Sequence, residues 1–139
     1  MKNKFILLFL FIYGVANAQI VNIPDANFKA ALLIPSAGID TNNDGEIQVS
    51  EAEAVIKINA FGFNIVSLEG IQYFINITDL YVDDNQIEVM DLSQNTQLEI
   101  VFCDNNLLTS LDLTNSPKLN WIDCGNNPLQ TLNVNGLMD

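Results

Sequence analysis

Histidine is missing from this chain, and with it the side chain most often used for proton transfer near neutral pH and for zinc. Cysteine occurs only twice, as Cys103 and Cys124, without the C-x-x-C spacing of a zinc or redox site. Basic charge is equally scarce: five lysines supply all of it against 17 aspartates and glutamates, for a formal net charge of −12. Such a surface repels phosphate backbones and anionic headgroups, which need cationic side chains to replace their counterions. Nucleic acid and membrane surfaces are therefore poor partners. Cations or a basic protein suit it better, with association weakening as salt rises. Charged residues make up only 16% of the chain and apolar ones 49%, which argues against disorder; the length fits one compact domain.

Beyond the N-terminus there is no apolar run long enough to cross a bilayer. At the N-terminus, Lys2 and Lys4 precede an apolar stretch from Phe5 to Val15, and Ala16-Asn17-Ala18 supplies a small-x-small cleavage pattern. Residues 1–18 thus read as a signal peptide cleaved after Ala18, leaving a secreted or cell-surface chain that inserts in no membrane. No cysteine stands beside the cleavage site to carry a lipid. The mature part retains Lys29, Lys57 and Lys118, and all the acidic residues.

What the chain does have is repetition. Leu98, Val101, Cys103, Asn106, Leu108, Leu111 and Leu113 recur at a 21-residue spacing as Leu119, Ile122, Cys124, Asn127, Leu129, Leu132 and Val134. An earlier unit begins at Ile77 and continues through Leu80, Val82, Asn85, Ile87, Met90 and Leu92. A fixed period of this size marks a solenoid in which each unit buries its apolar side chains against the next. One unit cannot stand alone. Six inward apolar side chains contribute about 1.5–3 kcal/mol each, whereas ordering each residue costs about 1.5 kcal/mol.

Each unit opens with a short extended segment whose side chains alternate in and out. Stacked units make these segments a parallel sheet. The following asparagines, Asn85, Asn106 and Asn127, fall where the chain turns, and a buried amide there satisfies backbone groups from both its donor and acceptor ends. Three solvent-exposed turn asparagines are the alternative, which the strict spacing disfavours. The second half of each unit, such as Ser110-Leu111-Asp112-Leu113, alternates again and contains no helix-length pattern, so the far side should be extended or irregular.

The pattern resembles the leucine-rich repeats and covers the C-terminal part of the chain, from about Ile56 onward. The resemblance implies a mostly β solenoid whose parallel strands line a concave, protein-binding face. Read by register, the outward columns hold Asp79, Ile100 and Trp121; then Tyr81, Phe102 and Asp123; then Asp83, Asp104 and Gly125. Tyr81, Ile100, Phe102 and Trp121 should form an exposed apolar cluster bordered by carboxylates, the kind of patch that binds partners. The competing expectation is that these aromatics tuck against a flanking loop. Cys103 and Cys124 share one inward position. Strands about 4.8 Å apart allow a disulfide on distance, but parallel side chains seldom meet its dihedral requirement, and two buried thiols are the favoured reading.

In front of the repeats, Asp40-Thr41-Asn42-Asn43-Asp44-Gly45-Glu46-Ile47-Gln48-Val49-Ser50-Glu51 fits the twelve-residue calcium loop of EF-hands. The ligands would be Asp40, Asn42, Asp44, the Glu46 carbonyl, Gln48 and a bidentate Glu51, with Ile47 turned into the core. The flanks fit less well. A helix over Ala26–Leu33, started by Pro24 and Asp25, is broken by Pro35-Ser36-Ala37-Gly38, and a capping box at Ser50-Glu51-Ala52-Glu53 starts a second helix of about two turns. A single loop of this kind reads as a structural clip for one Ca²⁺. An asparagine- and aspartate-rich turn without metal is the alternative.

Residues 19–55 thus form a cap and residues 56–139 the repeats, the first unit, 56–76, having a looser register. An EF-hand-like helical cap before leucine-rich repeats resembles the bacterial internalins, which implies a surface protein that binds host or cell-surface partners. Departures from that pattern are the 21-residue spacing, the cysteines and the lack of a cell-wall anchor. Counted from Ile77, three units end at Asp139, so a cover for the last coil would have to come from elsewhere. The sequence therefore points to a secreted or surface module that binds a protein, with carbohydrate binding, or a place at the front of a larger protein, as alternatives. No residue is assigned to catalysis.

Overall fold

The computed structural model describes residues 19–134; the expected signal peptide and the C-terminal segment 135–139 lie outside them. Two short helices come first. Helix α1 (Ala26–Leu32) buries Phe28, Ala31 and Leu32, and α2 (Val49–Ala54) buries Glu51 and Ala52. Six short strands follow: β1 (Lys57–Asn59), β2 (Asp79–Tyr81), β3 (Ile100–Phe102), β4 (Ser110–Leu113), β5 (Trp121–Asp123) and β6 (Thr131–Val134). Strands β1, β2, β3 and β5 lie side by side in one parallel sheet, and β4 pairs with β6 in a second. The result is a mostly β, leucine-rich-repeat-type solenoid with short N-terminal helices, built on a 21-residue repeat.

The register follows the repeat. Leu80 aligns with Val101 and Val101 with Ile122, while Leu111 aligns with Leu132. Between β1 and β2 the step is one position longer, because Ile58 aligns with Leu80. The inward side chains of the first two regular units are all buried, from Ile77 and Leu80 to Leu111 and Leu113. In the last coil Leu119 is still buried, Ile122, Cys124 and Leu129 are half-buried, and Leu132 is 44% exposed.

Turning the chain at the end of each strand requires a left-handed residue. Asn64, Asp84, Asn105 and Asn126 hold that place, with φ between 49° and 58°. Asparagine and aspartate tolerate this conformation better than other side-chain-bearing residues. The next residue is the repeat asparagine. Asn106 Nδ2 donates to the carbonyls of Cys103 (3.1 Å) and Asp104 (3.2 Å) in its own coil and of Val82 (2.9 Å) in the preceding one. Its Oδ1 accepts from the Ile87 amide at 3.0 Å. Asn85 and Asn127 repeat this arrangement, accepting from Ile65 and Leu108. In the first coil the equivalent position is Ile65, which is fully buried.

The opposite corner has a second buried asparagine. Asn95 donates from Nδ2 to the carbonyls of Ile71 and Phe74, both at 2.9 Å, one coil back. One repeat further on, the place is taken by Ser116, whose buried hydroxyl finds no partner. Cys103 and Cys124 are free thiols, and burial pushes Cys103 up to about 12, which makes it inert at neutral pH.

The cap is fastened by one carboxylate. Asp25 Oδ1 accepts from the Asn27 and Phe28 amides and caps α1, while Oδ2 accepts from the Val66 and Ser67 amides of the first coil at 2.8 and 3.0 Å. Burial alone would raise its pKa, but these four bonds hold it below the ordinary value. Gly70 allows the close fit. A Cβ there would lie 2.8 Å from Ile23 and 2.9 Å from the Asn22 carbonyl, and its φ is 106°.

The start of α2 differs from the sequence expectation. The capping box is formed by Gln48 and Glu51, not by Ser50 and Glu53. The chain already pairs at Ile20 with Gln48 in an antiparallel bridge, and Val49 N donates to Gln19 O, which fixes the helix start two positions earlier.

Replacing Asn106 with alanine removes its donors and strands the buried Ile87 amide, so it should cost about 2–4 kcal/mol. Asn127→Ala, in the more open last coil, should cost less. Urea unfolding of both variants tests this; an equal or smaller loss for Asn106→Ala would show that the asparagines do not carry the stacking.

Candidate functional site

The outward face of the four-stranded sheet brings together most of the residues that the register assigns to it. Tyr81 and Phe102 are cross-strand partners in β2 and β3, and their rings meet edge to face with centroids 5.2 Å apart and planes at 79°. Phe102 meets Trp121 in the same manner at 6.5 Å and 77°. Edge-to-face contacts of this kind each add about 0.5–1.5 kcal/mol beyond area burial. The three rings therefore run as one diagonal strip across three coils. Packing against one another leaves Tyr81, Ile100 and Phe102 half-buried, so the apolar cluster is less open than the sequence suggests; Trp121, at its end, is 63% exposed.

The first coil contributes to this face as well, which the repeat pattern did not reveal. Lys57 lies at the head of the first column, with its Nζ 4.3 Å above the Tyr81 ring. Asn59 heads the second column, and its Oδ1 accepts from the Phe61 amide. Phe61 itself is 53% exposed. The alternation in Lys57-Ile58-Asn59 was the available signal, obscured by the longer step to the next strand.

Beside the rings lie the carboxylates of Asp83, Asp104 and Asp123. Asp104 accepts from the Asn105 side chain at 2.7 Å and Asp123 from the Gly125 amide at 3.1 Å. Asp83 is half-buried, and its Oδ1 is enclosed without a hydrogen-bond partner. Burial first, then the charges of Asp104, Asp84 and Asp123, hold Asp83 above its ordinary pKa. Asp104 is raised by burial and by Asp123 and Asp84. Asp79 stands apart from this group and accepts from the Thr78 hydroxyl.

The calcium-type loop is held by its own polar groups. Asp44 N donates to Asn42 Oδ1 (2.9 Å), Gly45 N to Asp40 Oδ2 (3.0 Å) and Glu46 N to Asp44 Oδ1 (2.9 Å). Asn42 and Gln48 both reach Asp44, with their amide nitrogens toward its carboxylate. Turning those amides would present oxygens at the same place. Asp44 is held below its ordinary pKa, first by the Glu46 amide. Glu51 reaches the start of the loop from α2, where the Asn42 amide also donates to its Oε1 at 3.4 Å. Its Oε1 accepts from the Thr41 amide and hydroxyl at 2.7 and 2.6 Å, and Oε2 accepts from the Gln48 amide at 3.0 Å. The Glu46 side chain pairs with Lys29 at 2.6 Å. Asp40, Asn42, Asp44 and Gln48 thus fit a hard cation by donor type, and Glu51 ties the start of the loop to the start of α2. Among the described residues no three Asp, Glu, His or Cys side chains gather as a metal cluster.

Comparison with known proteins bears on the coil as a whole. Neither a family model nor a curated protein sequence matches the chain. Among solved structures, the functional domain of InlJ from Listeria monocytogenes, which includes a cysteine ladder, superposes on 83% of this chain with a TM-score of 0.70 and 28% identity. The fold is internalin-like. A second Listeria monocytogenes internalin, inlF, covers 88% of the chain at TM-score 0.68 and 20% identity. The chain spans 28% of the first protein and 40% of the second. Among the described residues of this internalin-like chain, no helix is long and apolar enough to cross a membrane.

The raised carboxylates set a pH dependence. Folding favours the protonated form of Asp83, so its contribution is most favourable below the ordinary value of 3.8 and is lost as pH rises through the higher folded pKa. At neutral pH the ionised group opposes folding. Asp83→Asn should therefore stabilise the protein at pH 7, and the gain should vanish on acidification below the carboxylate range. Paired thermal melts across pH check this; a variant that is destabilised at pH 7 would contradict it.

Proposed function

We propose that the chain is a secreted or cell-surface binding module that recognises a protein partner through the outward face of its strands. The observation that carries this is the strip of Tyr81, Phe102 and Trp121, which ends in the 63% exposed Trp121. Tryptophan and tyrosine are the anchors most often found at the centre of protein interfaces. An internalin-like coil is consistent with a binding role. The N-terminal pattern over residues 1–18 supports export. Carbohydrate recognition is the competing reading, but successive rings at 77–79° do not share the flat platform on which a sugar chain would stack.

Within this proposal the Asp40–Glu51 loop takes one Ca²⁺, which would hold the cap in place. Asp40, Asn42, Asp44, the Glu46 carbonyl and Gln48 would supply the near ligands, and Glu51 would join by releasing the amides of Thr41 and Gln48. Extracellular sites of this type bind in the range of about 0.1–1 mM.

Partner capture from extracellular or surface extracts should fall about tenfold or more in Trp121→Ala and in Phe102→Ala, as expected when a hot-spot anchor worth about 2 kcal/mol is removed. Trp121→Ala should melt only slightly below the parent protein, because its ring is mostly in solvent and gives up one edge-to-face contact. Unchanged capture by both variants would remove the face from consideration. On a glycan array, sugar binding that is lost in Trp121→Ala would favour the carbohydrate reading instead.

Calcium should raise the melting temperature, and calorimetry should register one site. Asp44→Ala is the informative variant, since Glu51→Ala also breaks the helix cap. A melt unmoved by Ca²⁺ would sink the metal proposal.

A further inference from the structure

The same face carries two kinds of surface side by side, and only one of them has a complement within the chain. The rings of Tyr81, Phe102 and Trp121 partly satisfy one another. The carboxylates of Asp83, Asp104 and Asp123 find only neutral donors, such as the Asn105 side chain for Asp104 and the Gly125 amide for Asp123, and no positive charge. Asp83 and Asp104 are shifted by burial and by like charge, and Asp83 Oδ1 is enclosed with no donor to accept from. A buried acceptor left unpaired costs stability.

The described chain has three lysines that could have relieved this, and each is engaged elsewhere. Lys29 pairs with Glu46, Lys57 sits over Tyr81, and Lys118 donates to the Gln97 side chain at 2.6 Å. A positive group for the aspartates must come from outside. A bare metal ion fits poorly: the aspartates are not gathered as a metal cluster, and an ion would leave the neighbouring rings uncovered. An organic cation attached to apolar bulk answers both surfaces at once.

Resting on the reading of this face as protein-binding, we propose that its occupant is a segment of a partner protein in which a lysine or arginine lies next to an aromatic or long aliphatic side chain. The apolar side chain packs on Phe102 and Trp121. The ammonium or guanidinium group enters beside Asp104 and Asp123, and its charge offsets the repulsion that these carboxylates and Asp83 exert on one another. Charge-assisted bonds of this type are stronger than neutral ones, and arginine's planar fork suits two neighbouring carboxylates. Binding should also return Asp83 and Asp104 toward ordinary acidity, so that affinity falls when the pH is lowered through their titration.

The test is selection from an array of short random-sequence peptides, read on the protein and on two variants: Trp121→Ala, and the triple change Asp83→Asn, Asp104→Asn, Asp123→Asn. Trp121 is the sole tryptophan, so its fluorescence reports occupancy directly. The expected result is enrichment of lysine or arginine adjacent to an aromatic or aliphatic residue, with affinity falling about tenfold or more in the triple variant and again at about 0.5 M salt. The triple variant should fold at least as well as the parent, since it removes mutual repulsion, and a melt verifies this. Peptides without basic residues that bind the parent but not Trp121→Ala would overturn the charge pairing and leave the protein-binding reading standing. Peptides held equally by all three proteins, or no peptides at all, would overturn the proposal, the former placing capture away from this face altogether.

Discussion

Every outward position in this protein depends on where the backbone turns, and the turns depend on a buried amide. Asn85, Asn106 and Asn127 each bond to their own coil and to the one before it, through both ends of the side chain. Strand-to-strand bonds alone fix spacing. The asparagines fix phase, because an amide anchored to the carbonyls of Cys103 and Val82 allows one position for the strand that precedes it. That phase places Tyr81 opposite Phe102 and Ile100 opposite Trp121. The ring strip and the neighbouring carboxylates are thus consequences of a polar contact on the other side of the backbone.

At the N-terminal end the ladder has no earlier coil to hold, and different chemistry takes over. Ile65 replaces the asparagine and faces apolar cover, while Asp25 reaches from α1 to the Val66 and Ser67 amides. One carboxylate with four amide donors does for the cap what the amides do between coils. At Gly70 a missing side chain lets the Val21–Ile23 segment lie against the first coil.

The regular coils were legible because each side chain there answers to one local rule repeated at a fixed interval. The alternation in Ile100-Val101-Phe102 and the asparagine that follows locate the face residue by residue. The first coil was not legible, because two local quantities disagree there. Its strand runs one position ahead of the repeat, with Ile58 paired to Leu80, while its left-handed turn at Asn64 falls one position behind the repeat relative to Asp84. The difference is absorbed by a bend around Gly62, at φ 71°, which also turns Phe61 outward. Asn95 escaped notice because its counterpart is Ser116, so the repeat at that corner keeps its polarity but not its residue type. In the calcium-type loop the positions of the donors were readable. The engagement of Glu51 with the helix start was not, since one carboxylate satisfies both patterns and only the packing of Gln19 and Ile20 against Gln48 and Val49 decides where α2 begins.

Because each ladder asparagine binds only its own coil and the preceding one, a coil makes the same demands whatever its place in the stack. Whole coils can therefore be gained or lost by gene duplication or deletion without disturbing those that remain. A change of one residue within a coil must be absorbed in a turn, as the bend around Gly62 absorbs the longer step between β1 and β2, or it reverses every side chain in the strand that follows. Each added turn would lengthen the outward face by one strand while leaving the cap and its fastening untouched.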